Sequence, residues 1–220
     1  MQGSMKIRII TVEREYGSGG AAIAERLAKQ LGWKLWDRDL TQEIAREAQV
    51  THEACRRCDE RVDPLLSRLF RVYARGSYER TLPVTEAQHF NADTMVAWLH
   101  KVIEEVASKG NCVIVGRGAP YILRNRPDAF HVFIYAPLEE KVRRLKGIGQ
   151  SEKEARHLVE EVDGERASFI RHYFKKEWPC RSLYNLMINS QFGDEHVIQT
   201  ILQNIAALEK LREAETAKAS

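Results

Sequence analysis

A three-layer α/β fold, with a mainly parallel central sheet and helices on both faces, is what the sequence predicts, and three observations predict it. Short apolar runs, "KIRIITV" (6–12), "NCVIVG" (111–116) and "AFHVFIYA" (129–136), alternate with stretches whose apolar residues recur at helical spacing. The first run leads directly into a glycine turn, "EYGSGG". The 220 residues, 44% of them hydrophobic, suffice for one domain of good size with a small subdomain and are too few for two large ones.

Taken in order, 6–12 is a β-branched run of the kind buried in a sheet, and "AAIAERLAKQLG" behind the glycines is helical, with Gly32 as its stop. "WKLWDRDL" is a second strand or its exit loop. Residues 39–80 carry a helical pattern, interrupted near Asp63-Pro64 and at Gly76. An amphipathic helix over 92–109 feeds the strand 111–116. The strand 129–136 is followed by helical stretches "LEEKVRRLK" and "SEKEARHLVEEVDGERASFIRHYFKK". "YNLMINS" reads as a last strand, before a closing helix from about Glu195 to Ala214. Strands alternating with helices place ligands at the carboxyl ends of the strands.

Composition narrows the function classes. Thirty-four basic against 31 acidic residues give +3, too mild to call for nucleic acid, and none is expected as a partner. The arginines nevertheless gather in the second half. Four cysteines without disulfide-framework spacing fit a reducing cytoplasm, and Cys55 with Cys58 lacks the second ligand pair that zinc requires. No run approaches the roughly 20 apolar residues that cross a bilayer, so no membrane partner is expected. Residues 1–5, "MQGSM", read as a tag remnant as readily as native sequence, and 215–220 as a frayed tail, leaving a single domain over 6–214.

Chemistry concentrates in three places. Gly17, Gly19 and Gly20, with Ser18 among them, let the backbone turn its N–H groups inward at the start of a helix, which makes an anion site from main chain alone. The plainer reading is a turn that merely joins strand to helix. Against the phosphate-loop pattern G-x-x-x-x-G-K-[ST], Arg14 stands at the first glycine, Gly20 at the lysine and Ala21 at the Ser/Thr. The missing charge must come from elsewhere, with Arg14 as the local candidate. "VIVGRGAPYIL" puts Arg117 at a strand's carboxyl end, where it can fork onto a phosphate or make an ordinary ion pair. Arg143, Arg144, Asp163, Arg166 and Arg171 form the third group. With the neighbouring glutamates they read as a solvated helix face or as a helical flap bringing cations to a transferring phosphoryl.

From about Ile7 to Gly193 the chain resembles the cytidylate kinase-like family of P-loop proteins. That family opens with a strand, then S-R-x-[YF]-G-S-G-G, a helix and [FY]-D-R-[ED]-L, close to "TVEREYGSGGAAIAERLAKQLGWKLWDRDL" here. "VIVGRGAPYIL", "HVFIYAPLEEKVRRL", "EEVDGERASFIRHYF" and "YNLMINS" match later blocks in order. The resemblance implies a P-loop fold with a core, a monophosphate-binding helical region near 39–91 and a helical lid near 143–180. It carries Gly17, Ser18 and Gly19 onto the phosphate loop, Arg117 onto the arginine that grips an acceptor monophosphate, and Asp163 with Arg166 onto the lid's D-x-x-R step. Arg143 and Arg144 fall on the paired basic residues that open the lid region, and Asp37 and Arg38 on the acceptor side. Three positions depart from true cytidylate kinases. Gly20 replaces the loop lysine, Ala21 stands where relatives often carry an arginine, and Gly118 stands where an aspartate helps recognise cytosine.

The function so implied is an ATP-dependent nucleoside monophosphate kinase for CMP or dCMP, with Mg²⁺ accompanying ATP. Arg14, Arg117, Arg166 and Arg171 are its expected catalytic cations. Gly17, Ser18, Gly19, Gly20, Arg143 and Arg144 would hold ATP phosphates, and Asp37, Arg38, Arg117 and Asp163 the acceptor. No metal ligand is assigned. A nucleotide-binding or sensing protein without turnover, and a kinase for another small acceptor, are the other two readings.

Overall fold

A computed structural model of the protein describes residues 6–37 and 92–219. Five strands form one sheet: β1 (Ile9–Arg14), β2 (Lys34–Trp36), β3 (Cys112–Val115), β4 (Ala129–Tyr135) and β5 (Leu186–Asn189). Their order is β2-β3-β1-β4-β5, and every pairing is parallel. The first strand lies in the middle, and all six of its residues are buried. It begins three residues later than 6–12 suggests and runs two further, because Glu13 and Arg14 keep the ladder with Phe133 and Ile134 of β4. "WKLW" does form a strand, at the sheet edge beside β3.

Helices α1 (Gly20–Leu31) and α6 (Asp194–Ala219) cover one face, where Ile23, Leu27, Val197 and Ile201 pack on Ile10, Val12, Val113 and Val132. The other face carries α2 (Ala92–Lys109), the short α3 (Ala119–Ile122) and the end of a long helix α5 (Glu152–Phe174). There Leu99, Ile103, Tyr121, Phe169 and Ile170 meet Ile9 and Ile114. The result is the three-layer arrangement expected, with odd and even residues of β1 serving opposite cores. Helix α4 (Leu138–Gly147) joins α5 in a hairpin with a small core of its own, Val142, Leu145, Ala155 and Val159, onto which Tyr16 packs. Helix α6 continues to Ala219, past Ala214 and through most of the stretch read as a frayed tail. That stretch lacks Gly and Pro and consists largely of Ala, Glu and Lys, all good helix formers.

Candidate active site

The glycine turn leaves β1 at the centre of the sheet and enters α1. Gly17 (φ 78°) and Gly19 (φ 79°) hold left-handed conformations that a side chain would strain. Neighbours also close on them. A Cβ at Gly17 would lie 3.0 Å from Cβ of Lys141, and one at Gly19 would run into the guanidinium of Arg144. Gly20 has ordinary dihedrals yet equally little room, since its Cβ would come within 2.6 Å of Cβ of Arg14. The hydroxyl of buried Ser18 donates to the Glu15 carbonyl (2.8 Å), and Ser190 Oγ donates to the Ser18 carbonyl (2.6 Å). The turn is thereby a fixed cradle at the positive end of α1.

Helix α5 grips this cradle from above. The Tyr16 N–H donates to Asp163 Oδ1 at 2.7 Å, and Arg166 donates to the Arg14 carbonyl at 2.8 Å and to Asp163 Oδ1 at 3.3 Å. Lys141, also buried, donates to Glu15 (2.9 Å) and to Asp163 Oδ2 (3.4 Å). Burial pushes the Asp163 carboxyl above the usual range, opposed by the Arg166 and Lys141 charges and the Tyr16 amide. Arg144 reaches across the turn to Asp194 Oδ1 (3.0 Å) and the Ser190 carbonyl (3.1 Å). Arg143, its sequence partner, points away and is held by Glu140 on the exposed side of α4. Arg171 is likewise on the exposed side of α5.

A pocket opens between turn and hairpin, bounded by Arg14, Gly17, Gly19, Gly20 and Arg166, with Leu145 and Ile148 as its apolar wall. The Arg14 side chain is 2% exposed, and among the described residues none of its three guanidinium nitrogens has a hydrogen-bond partner. Among the described residues its carboxylate neighbour is Glu13, with Oε1 at 3.7 Å. Glu13 lies fully inside the protein. Burial drives its carboxyl upward, while Arg14, Arg166 and Arg117 draw it back.

Arg117 sits at the carboxyl end of β3 in the sequence Gly116-Arg117-Gly118, with φ of 70°, 57° and 69°. Three left-handed residues in a row are uncommon, and for arginine the conformation costs about 1–2 kcal/mol. Its guanidinium donates to Asp37 Oδ1 (3.4 Å) and to the Val115 carbonyl (3.3 Å), buried at the ends of β2 and β3. Beside it the Phe174 ring, packed on His100 and Tyr121, leaves no space at Gly118: a Cβ there would fall 2.6 Å from the ring edge.

The structure thus brings Arg14, Gly17, Ser18, Gly19, Gly20, Arg144, Asp163 and Arg166 to the glycine turn, and Asp37 with Arg117 to the neighbouring strand ends. Arg143 and Arg171 lie apart from both. Arg38 and the helical region near 39–91 fall outside the described residues. Sequence reasoning missed Glu13 and Lys141. Glu13 had one available signal, a carboxylate directly before the phosphate-loop pattern at the end of an apolar strand. Among the described residues no three His, Cys, Asp or Glu side chains converge as metal ligands. Ala21 also lacks the hydroxyl that a phosphate loop offers Mg²⁺, so the described residues do not make a built magnesium site.

The sequence model of the cytidylate kinase-like family matches residues 9–191. Among solved structures the chain is similar to an uncharacterized protein from Eubacterium ventriosum ATCC 27560, with 23% identity, a TM-score of 0.66, and 92% of this chain and 99% of that chain covered. It is also similar to a gluconokinase from Sinorhizobium meliloti 1021, with 13% identity, a TM-score of 0.53, and 96% and 98% of the two chains covered. No curated protein matches the chain. At these identities the structural likeness establishes the fold alone.

Proposed function

The chain belongs to the cytidylate kinase-like family, and from that premise we propose that it moves the γ-phosphoryl group of ATP to a nucleoside monophosphate, CMP or dCMP first. The observation that carries this reading is Arg117: a buried arginine held in a costly left-handed turn at the carboxyl end of a strand adjoining β1. Such strain persists where the surrounding structure fixes a side chain for use. Its planar fork suits the two oxygens of a terminal phosphate.

In this reaction the acceptor phosphate oxygen is already a nucleophile. It attacks the γ-phosphorus, the bond from that phosphorus to the β-phosphate oxygen breaks, and ADP leaves. The protein's work is positioning and charge compensation. The turn of Gly17, Ser18, Gly19 and Gly20 receives the donor phosphates on its amides and on the positive end of α1. Arg144 lies over Gly19 on the donor side. Asp163 and Arg166 hold the turn in shape through the Tyr16 amide and the Arg14 carbonyl. Arg117, steadied by Asp37, takes the acceptor. Mg²⁺ would enter with ATP as part of the substrate and add to the charge compensation there, and no residue of the chain is assigned to hold it.

One observation favours a second reading, a kinase for a different small acceptor. Phe174 fills the space beside Gly118 where an aspartate would read cytosine, so recognition of that base has no counterpart at this position. Steady-state kinetics separate the roles. Arg117→Ala is expected to raise the acceptor KM tenfold or more and to lower kcat, while leaving the KM for ATP within about twofold. An unchanged acceptor KM removes Arg117 from the acceptor site.

A further inference from the structure

In the pattern G-x-x-x-x-G-K-[ST] the first position is glycine and the lysine follows the last glycine. This chain carries Arg14 at the first position and Gly20 at the lysine, so glycine and cation have changed places. The exchange is physical as well as textual. A Cβ at Gly20 would lie 2.6 Å from the Arg14 Cβ and 3.0 Å from its Cγ, so the arginine stem occupies the space through which a lysine at position 20 would leave the backbone. Conversely, the Arg14 side chain can lie there only because position 20 has no side chain.

We propose that Arg14 is the phosphate-binding cation of this loop: from the end of β1 it supplies the charge that a lysine supplies from the start of the helix, and its ligand is the polyphosphate of a nucleoside triphosphate. Three observations converge on this. The guanidinium is 2% exposed, and its three nitrogens have no hydrogen-bond partner among the described residues. It lines the pocket that the turn's glycines line. Its main chain is pinned, since Arg166 donates to the Arg14 carbonyl at 2.8 Å, which fixes the point from which the side chain departs. Among the described residues Glu13 is the one carboxylate paired with it, at 3.7 Å, beyond hydrogen-bond reach. A guanidinium buried without partners is a poor structural element and a good anion site, because a phosphate satisfies several of its N–H groups at once.

The inference rests on reading the turn as a polyphosphate site, and the experiment tells the two apart. Calorimetric titration with ATP, and separately with inorganic tripolyphosphate, is carried out on the full chain, on Arg14→Met, on Gly20→Lys and on the double variant Arg14→Gly/Gly20→Lys. Thermal melting without ligand accompanies each. The expected result is binding of both probes by the unaltered chain and at least tenfold weaker binding by Arg14→Met, with a melting temperature no lower than that of the unaltered chain. Gly20→Lys alone should bind worse than the unaltered chain, because both side chains compete for one space. The double variant, which restores the usual order of glycine and lysine, should recover binding to within a few-fold. Arg14→Met binding both probes like the unaltered chain overturns the proposal and leaves the kinase reading intact. Failure of the unaltered chain to bind either probe overturns both. Should Arg14→Met not fold, the double variant decides: recovered binding supports the exchange, and lost binding refutes it.

Discussion

Gly19 combines a left-handed backbone with a cationic neighbour. Replacing it with alanine sets a Cβ against the Arg144 guanidinium and forces a φ of 79° on a residue that resists it. The expected cost is about 1–2 kcal/mol from the backbone alone, together with loss of ATP binding as Arg144 is displaced. Thermal melts and an ATP titration on Gly19→Ala check both effects. His131 makes a different prediction. It is buried in β4 against the Thr11 hydroxyl (2.7 Å), and burial pulls its pKa from 6.5 to about 4. The fold therefore keeps the ring neutral. Below pH 6.5 the unfolded chain binds a proton that the folded chain refuses until about pH 4, so stability present above 6.5 is lost across that window. The loss should approach about 3 kcal/mol at its acid end. Urea melts at pH 7 and pH 4.5 should show it, with a flatter pH dependence for His131→Gln. At this scale the sequence showed the turn glycines and Arg117, whose residue types are unusual where they stand. It did not show Lys141 or Glu13, because their roles come from partners far along the chain, 126 positions away in the Lys141 to Glu15 contact and at Arg166 and Arg117 for Glu13.

Among the elements, the hairpin of α4 and α5 makes contacts that the sequence does not show. The D-x-x-R step is expected to bring cations to a substrate. In the structure Asp163 and Arg166 also bind main-chain groups of the turn, so the long helix braces the glycine turn. Asp163→Ala removes the acceptor of the Tyr16 N–H and one carboxylate partner each of Lys141 and Arg166. A destabilisation of about 3 kcal/mol or more is expected, because a partner of buried charges is lost. Asp163→Asn keeps an acceptor for the amide and should recover part of it in the same denaturant melts. The brace has its own anchor, a reciprocal capping box between Ser151 and Glu154 at the start of α5. Ser151→Ala should lower stability by about 1 kcal/mol and leave binding intact. The helix was legible in "SEKEARHLVEEVDGERASFIRHYFKK"; the capping box at its start is a finding of the structure. The docking of α5 on the turn was not legible, since helical periodicity identifies the buried face without identifying what covers it.

Across the whole molecule, alternation of strands and helices sufficed to read a parallel three-layer sheet. Strand order did not follow from it, and the site depends on that order. Placing β1 between β3 and β4 sets the glycine turn beside Gly116-Arg117-Gly118, about 100 residues later in sequence. Turn and arginine thus follow the carboxyl ends of two neighbouring parallel strands, the end of the sheet at which open α/β folds bind ligands. The proposed roles, donor phosphates at the turn and acceptor at Arg117, make phosphoryl transfer the central claim. The most direct measurement is transfer of labelled γ-phosphate from Mg·ATP by the purified chain to CMP, dCMP, UMP, AMP and GMP in turn, with Arg117→Ala in parallel. Labelled diphosphate from CMP or dCMP, with the rate cut tenfold or more in Arg117→Ala, is the predicted result. No transfer to any of the five, under conditions where ATP binds, would contradict it.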